Sequence, residues 1–70
     1  MKRTLLIRKV RRVSRQLGLH WRLVRQGREH ELWACGPIIV AIPRHRELSP
    51  GVVDDIERKL EQALGEDWWK

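Results

Sequence analysis

Residues 21–42, WRLVRQGREHELWACGPIIVAI, decide the fold, because three short runs of strand-forming side chains alternate with two glycine-containing turns. Gly27 would supply a positive φ in the first turn if the turn needs one, and Gly36-Pro37 makes the second turn. The apolar run 38–42 predicts a strand that is central or covered on both faces. The pattern predicts an antiparallel sheet with strands at 21–25, 29–35 and 38–42.

The segments on either side of the sheet have helical periodicity. Thr4 can cap a first helix over residues 5–17, and Gly18 can end it. Ser49 and Pro50 predict the start of a second helix, which Gly65 closes. The apolar faces of these two helices are predicted to consist of Leu6, Val10, Val13 and Leu17 in the first and Val53, Ile56, Leu60 and Leu64 in the second.

The predicted order is therefore α-β-β-β-α, an α+β fold in which a three-stranded antiparallel sheet carries both helices on one face. The 70 residues allow one domain, with a core over about 3–65 and a short tail at 66–70. Cys35 has no partner for a disulfide, and no zinc-ligand spacing is present, so no metal or cofactor is expected. Without an apolar run of membrane-span length, a cytoplasmic protein that does not contact membranes is expected.

Charge is distributed unevenly along the chain. Residues 1–28 contain ten Lys and Arg and no acidic residue, whereas residues 29–70 contain five Lys and Arg and nine acidic residues. A surface charged in this way concentrates polyanions, and a solvated face without function is the alternative interpretation. The basic first half predicts a nucleic-acid partner.

Three histidines are candidates for chemistry. His20 precedes a strand and is most simply a boundary residue, His30 begins the second strand, and His45 lies in the loop after the third. In an antiparallel sheet the start of the second strand and the end of the third can lie toward opposite ends, so the sequence leaves open whether His30 and His45 act together. An imidazole, with an ordinary pKa of about 6.5, can take a proton from a ribose 2′-OH or give one to the leaving oxygen.

Two motifs resemble those of HicA-type toxins of bacterial toxin–antitoxin pairs: Gly27-Arg28-Glu29-His30 followed by Leu32-Trp33, and Ile42-Pro43-Arg44-His45-Arg46-Glu47 before a Ser-Pro-Gly helix start. The resemblance extends from the first helix to about Gly65. It implies a double-stranded-RNA-binding-domain-like fold, mRNA interferase activity with His30 as the catalytic residue, and inhibition by a HicB-like antitoxin. The family commonly has small or uncharged residues where this chain has Arg28 and Glu29. Arg28 can add a phosphate contact, and Glu29 can repel phosphate or point to the opposite sheet face and orient a neighbour.

The sequence and the resemblance together predict a metal-independent endoribonuclease that cleaves mRNA. His30 would act as general base or acid, and guanidinium groups would stabilise charge on the phosphate. The alternatives are a non-catalytic RNA-binding module or degenerate HicA relative and, less favoured, a protein-interaction subunit. The residues predicted to bind substrate are Arg28, Arg44, His45, Arg46, Arg8 and Arg12.

The four tryptophans predict contacts of two kinds. Trp21 and Trp33, on neighbouring strands, are expected to pack in the core or as a cross-strand pair, with stacking on RNA bases as the alternative. Trp68 and Trp69, in the charged tail, predict a contact surface, such as one for a homo-oligomer.

Overall fold

A computed structural model describes all 70 residues as the predicted α-β-β-β-α order. The three strands form one antiparallel sheet in the order β1-β2-β3. Neither helix is long and apolar enough to cross a membrane. The elements are α1 (Arg3–Gln16), β1 (Trp21–Gln26), β2 (His30–Cys35), β3 (Ile38–Pro43) and α2 (Pro50–Leu64).

The start of α1 differs from the prediction. Lys2 is its N-cap residue and no side chain caps the helix, so the assignment of Thr4 as the cap is wrong. The reason is tertiary: Lys2 forms a bridge with Glu47, and the Arg3 amide donates to the Arg46 carbonyl at 3.0 Å. A chain segment distant in sequence therefore accepts a hydrogen bond from the first turn of α1, where a side-chain cap was expected.

The other three helix ends follow the sequence signals. Gly18 has φ +72° just after α1, a left-handed conformation that costs glycine little. The Ser49 hydroxyl accepts a hydrogen bond from the Val52 amide at 3.3 Å, Pro50 opens α2, and Gly65 ends it.

Both helices cover the inner face of the sheet, where Cys35, Val40 and Ile42 join the hydrophobic core. The stripe that α1 buries is rotated from the predicted one: Leu17 is 53% exposed, whereas Ser14 is fully buried. The Ser14 hydroxyl lies 3.3 Å from the Cys35 thiol, and this contact explains how a polar residue can occupy a core position.

The outer face of the sheet is not covered by any element, so the expectation that the third strand is central or covered on both faces is wrong. β3 is an edge strand, with Val40 and Ile42 buried and Ile39 half exposed. The apolar run therefore supplies one core face and one open face, as antiparallel sheets often do.

Trp68 belongs to the core, and its assignment to a contact surface is wrong. Its side chain is buried, its indole Nε1 donates to the Glu57 carbonyl at 2.9 Å, and Lys9 Nζ lies 5.8 Å from its ring centroid. Trp69 packs edge-on against Trp68 and is half-buried. The tail therefore closes the domain against both helices, which adds apolar burial to a small core.

Candidate functional site: one end of the sheet and a basic groove

The main chain brings the two sequence motifs together at one end of the sheet. His30 pairs with Pro43 across β2 and β3, and the Arg44 amide donates to the Glu29 carbonyl at 2.9 Å. The expectation that the two histidine positions can lie toward opposite ends is wrong, because the tight turn after Cys35 makes β3 run back beside β2. We call this region the histidine end: the turn 27–29, His30 and the loop 44–48.

The turn requires glycine at position 27 because its backbone lies very close to the His30 carbonyl, and not because of a positive φ. The Gly27 amide donates to the His30 carbonyl at 2.8 Å, and a Cβ at this position would lie 2.6 Å from the same oxygen. The turn therefore rests directly on the His30 backbone and fixes where β2 begins.

Arg44 connects the loop to the turn. Its Nη1 donates to the Gly27 carbonyl at 3.1 Å, so a guanidinium lies beside the turn that precedes His30. The side chains of Arg28, His45 and Arg46 are exposed at the same end and form no ion pair. The remaining predicted ligands, Arg8 and Arg12, lie on α1. Arg8 lines a cavity with Glu31, whose side chain lies on the opposite face of the sheet from His30.

His30 belongs to the open face of the sheet. Its neighbour Glu31 pairs with the buried Ile42 on the inner face, so His30 lies on the outer face. The side chain is exposed and forms no hydrogen bond within the chain. Glu29 is also exposed and forms no side-chain hydrogen bond or ion pair, so it does not orient a neighbour.

Arg25 is a further basic residue near His30 that the sequence did not single out. A β-bulge between Leu23 and Arg25 shifts the strand alternation, and Arg25 then pairs with Leu32 on the same outer face as His30. Simple alternation from Trp21 predicts the opposite face for Arg25. No sequence signal indicated the bulge.

A buried ion pair supports the histidine end from beneath. Glu31 is buried, pairs with Arg3, and accepts a hydrogen bond from Trp33 Nε1 at 3.3 Å. Arg3 Nε also donates to the Pro43 carbonyl at 2.9 Å. Burial lowers the pKa of Arg3, and the positive charge of Arg44 lowers it further. These contacts tie the start of α1 to both strands at the point where His30 and Pro43 pair.

A second basic region lies between α1 and β1. Two adjacent cavities of about 470 and 260 Å³ open there, and Arg11 lines both. Trp33 lines the larger and Trp21 the smaller; the two rings stack with centroids 4.8 Å apart and planes at 11°, which confirms the predicted cross-strand pair. We call this region the arginine groove, lined by Arg8, Arg11, Arg15, Trp21 and Trp33.

The arginines of α1 are not equivalent. Arg8 lines the larger cavity of the groove and Arg15 the smaller, whereas Arg12 lines neither. Arg12 is exposed and lies beside the groove, since it lines a third cavity of about 360 Å³ together with Arg8, Arg11 and Arg15. None of these arginines forms an ion pair. No cluster of His, Cys, Asp and Glu is arranged to hold a metal ion.

Comparison of the chain with protein-family models, with curated proteins and with solved structures finds no match. The resemblance to HicA-type toxins therefore rests on the two motifs and their place in the fold.

Proposed function

We propose that this protein is a cytoplasmic endoribonuclease toxin of a type II toxin–antitoxin system, similar to HicA, and that it cleaves mRNA with His30. The observation that carries the proposal is the histidine end itself. An exposed histidine lies there beside a turn held by the Arg44 guanidinium, and no acidic group pairs with the arginines around it. These are the groups that RNA transesterification needs: a proton carrier and cations near one phosphate.

The proposed reaction needs only the RNA and proton transfer. His30 removes the proton from a ribose 2′-OH, the 2′ oxygen attacks the adjacent phosphorus, and the bond from phosphorus to the 5′ oxygen breaks. A proton from solvent or from His45 neutralises the leaving 5′ oxygen. The products are a 2′,3′-cyclic phosphate and a 5′-hydroxyl end.

The arginines of the histidine end have an electrostatic role in this proposal. Arg28, Arg44 and Arg46 bind the phosphate that flanks the cleaved bond, because guanidinium groups form paired hydrogen bonds with phosphate oxygens. Arg44 is the most constrained of the three, since its bond to Gly27 and its backbone bond to Glu29 hold it at this end.

A HicB-like antitoxin is the proposed inhibitor. The outer face of the sheet around His30 is uncovered, and half-exposed Ile39 lies on it. A protein that covers this face would keep RNA from His30. The tail does not offer Trp68 as a surface for homo-oligomerisation, because this side chain is buried within the domain.

Expression in a bacterial host tests the proposal. The wild type should arrest growth and deplete mRNA, and His30→Ala should do neither. Gln62→Ala is the control, since Gln62 is exposed on α2 and belongs to neither the histidine end nor the arginine groove. Equal growth arrest and mRNA loss for wild type and His30→Ala would overturn the assignment of His30.

A non-catalytic RNA-binding module is the second candidate, and one observation favours it: no group of the chain hydrogen-bonds to the His30 imidazole to orient it, while the unpaired Glu29 carboxylate precedes it. Purified protein that binds RNA with a steep salt dependence but leaves it intact over long incubation in chelator would support this function.

A further inference from the structure

We propose that the arginine groove is a second binding site, distinct from the histidine end, and that it takes a segment of single-stranded RNA. The inference rests on the proposed function in so far as RNA is the substrate. It adds a path for the strand, a set of residues that bind it, and a preference for unpaired over paired RNA.

The position of the groove connects it with the histidine end. Gln26 and Glu31 form the last pair between β1 and β2, and both line its larger cavity. Glu31 directly follows His30, whose side chain lies on the opposite face of the sheet. From there the groove extends along β1 to Trp21 and His20, which line the smaller cavity. A strand with one phosphate near His30 can therefore continue around the end of β1 into the groove.

The spacing of the arginines suits a chain of phosphates. Arg8, Arg11 and Arg15 follow one another at intervals of three and four residues, so they lie on one side of α1, each about one helical turn (5.4 Å) from the next. None has an acidic partner in the chain. The only carboxylate among the groove's lining residues, Glu31, is buried and paired with Arg3. The groove therefore presents unneutralised positive charge.

The stacked indoles favour unpaired nucleotides as the occupant. Trp21 and Trp33 are half-buried and form a flat, nearly parallel pair along the cavities. Bases of a single strand can stack on such rings, whereas bases in a duplex are already stacked on each other. Charge alone would also suit an acidic protein; the aromatic pair beside regularly spaced arginines favours RNA.

The test compares two neighbouring arginines of equal charge. Binding of a fluorescent 2′-O-methyl oligouridylate is measured by anisotropy, because its blocked 2′ oxygen prevents cleavage. Arg11→Ala should weaken binding roughly tenfold and reduce the slope of log affinity against log salt by about 0.7, the value for one phosphate contact on a single strand. Arg12→Ala should weaken binding clearly less than Arg11→Ala, because Arg12 lines only the neighbouring third cavity and neither of the two that contain the tryptophans.

Three outcomes would overturn the inference. Equal losses for Arg11→Ala and Arg12→Ala would indicate diffuse attraction to α1, and equal affinity for the oligonucleotide paired with its complement would exclude a single-strand site. Binding of polyglutamate but not of the oligonucleotide would assign the groove to an acidic protein. Circular dichroism of each variant checks that it is folded.

Cleavage of ordinary RNA separates this inference from the proposed function. If His30→Ala abolishes cleavage while Arg11→Ala and Arg12→Ala behave alike, only the groove assignment fails. If no variant or wild type cleaves RNA while Arg11→Ala still binds more weakly than Arg12→Ala, the nuclease proposal fails and the groove assignment stands.

Discussion

The histidine end and the arginine groove are both basic, but they are built in different ways. At the histidine end, backbone hydrogen bonds from Gly27 to His30 and from Arg44 to Glu29 fix each position. In the groove, long side chains project from one side of α1 and form no ion pair with the rest of the chain. Substitutions at the histidine end should therefore have steep effects, whereas those in the groove should have graded effects that depend on salt.

Of the substitutions considered, Gly27→Ala should disrupt the structure of the histidine end most. The added Cβ would lie 2.6 Å from the His30 carbonyl, so the turn and the start of β2 must move apart. Overpacking of this kind costs about 1–3 kcal/mol, and each kcal/mol lowers Tm by roughly 4–8 °C in a domain of this size. RNA cleavage should fall together with Tm. Thermal melts measure the first effect, and a cleavage assay measures the second.

Gly51→Ala is the matched control for Gly27→Ala. No atom lies within 4 Å of a Cβ at Gly51, and its φ is not positive, so Tm should stay unchanged or rise slightly. Equal Tm values for both variants would contradict the close approach at Gly27.

Arg44→Gln should have the next largest effect on the histidine end. It removes a positive charge and the bond to the Gly27 carbonyl, and we expect roughly a tenfold loss of cleavage with a Tm loss of only a few degrees. Arg58→Gln removes the same charge from α2, where the arginine pairs with Asp54, and should leave cleavage unchanged. A cleavage loss as large in Arg58→Gln would indicate that net charge, and not position, matters.

Arg8→Ala and Arg15→Ala should show the graded behaviour of the groove. These two residues lie two helical turns apart and share no partner, so their effects on log affinity should add. Each substitution should lower the salt slope by about 0.7, and the double variant by twice as much. Anisotropy titrations at several salt concentrations measure this, and a double variant no weaker than either single one would contradict independent phosphate contacts.

Glu57→Gln should have the smallest effect and should spare both basic regions. Burial raises the pKa of Glu57; Lys9 partly opposes this shift, and Asp54 adds to it. The folded state therefore favours the protonated acid, so the stability from this group is present at low pH and is lost as pH rises through the raised pKa. At pH 7 the variant should melt slightly higher than wild type, with the difference vanishing in acid. A lower Tm at pH 7 would show that attraction to Lys9 outweighs burial.

Local signals in the sequence were sufficient for much of the fold and for part of the site. Gly18 and the Ser49-Pro50 pair act within a few residues of the helix ends they predict. Long-range contacts account for what the sequence left out: the loop that holds the start of α1, and the bulge that turns Arg25 outward. The two sequence motifs identified His30 and Arg44, but only the pairing of β2 with β3 puts them at one end.

The sequence could not predict the arginine groove, again because the groove depends on long-range packing. Arg8 and Arg12 are equally basic and line one cavity together, and only the packing of α1 beside β1 puts Arg8, and not Arg12, in the cavity that contains Trp33. The burial of Trp68 likewise depends on the Glu57 carbonyl, eleven residues earlier in the chain.

The most direct test incubates purified wild type, His30→Ala and the control Gln62→Ala with 5′-labelled RNA in chelator and measures both cleavage and binding. We predict cleavage by wild type and Gln62→Ala, with 2′,3′-cyclic phosphate and 5′-hydroxyl ends, and a loss of about 10²- to 10⁴-fold in His30→Ala at unchanged affinity. Equal cleavage by His30→Ala, or intact RNA bound by all three proteins, would contradict this prediction.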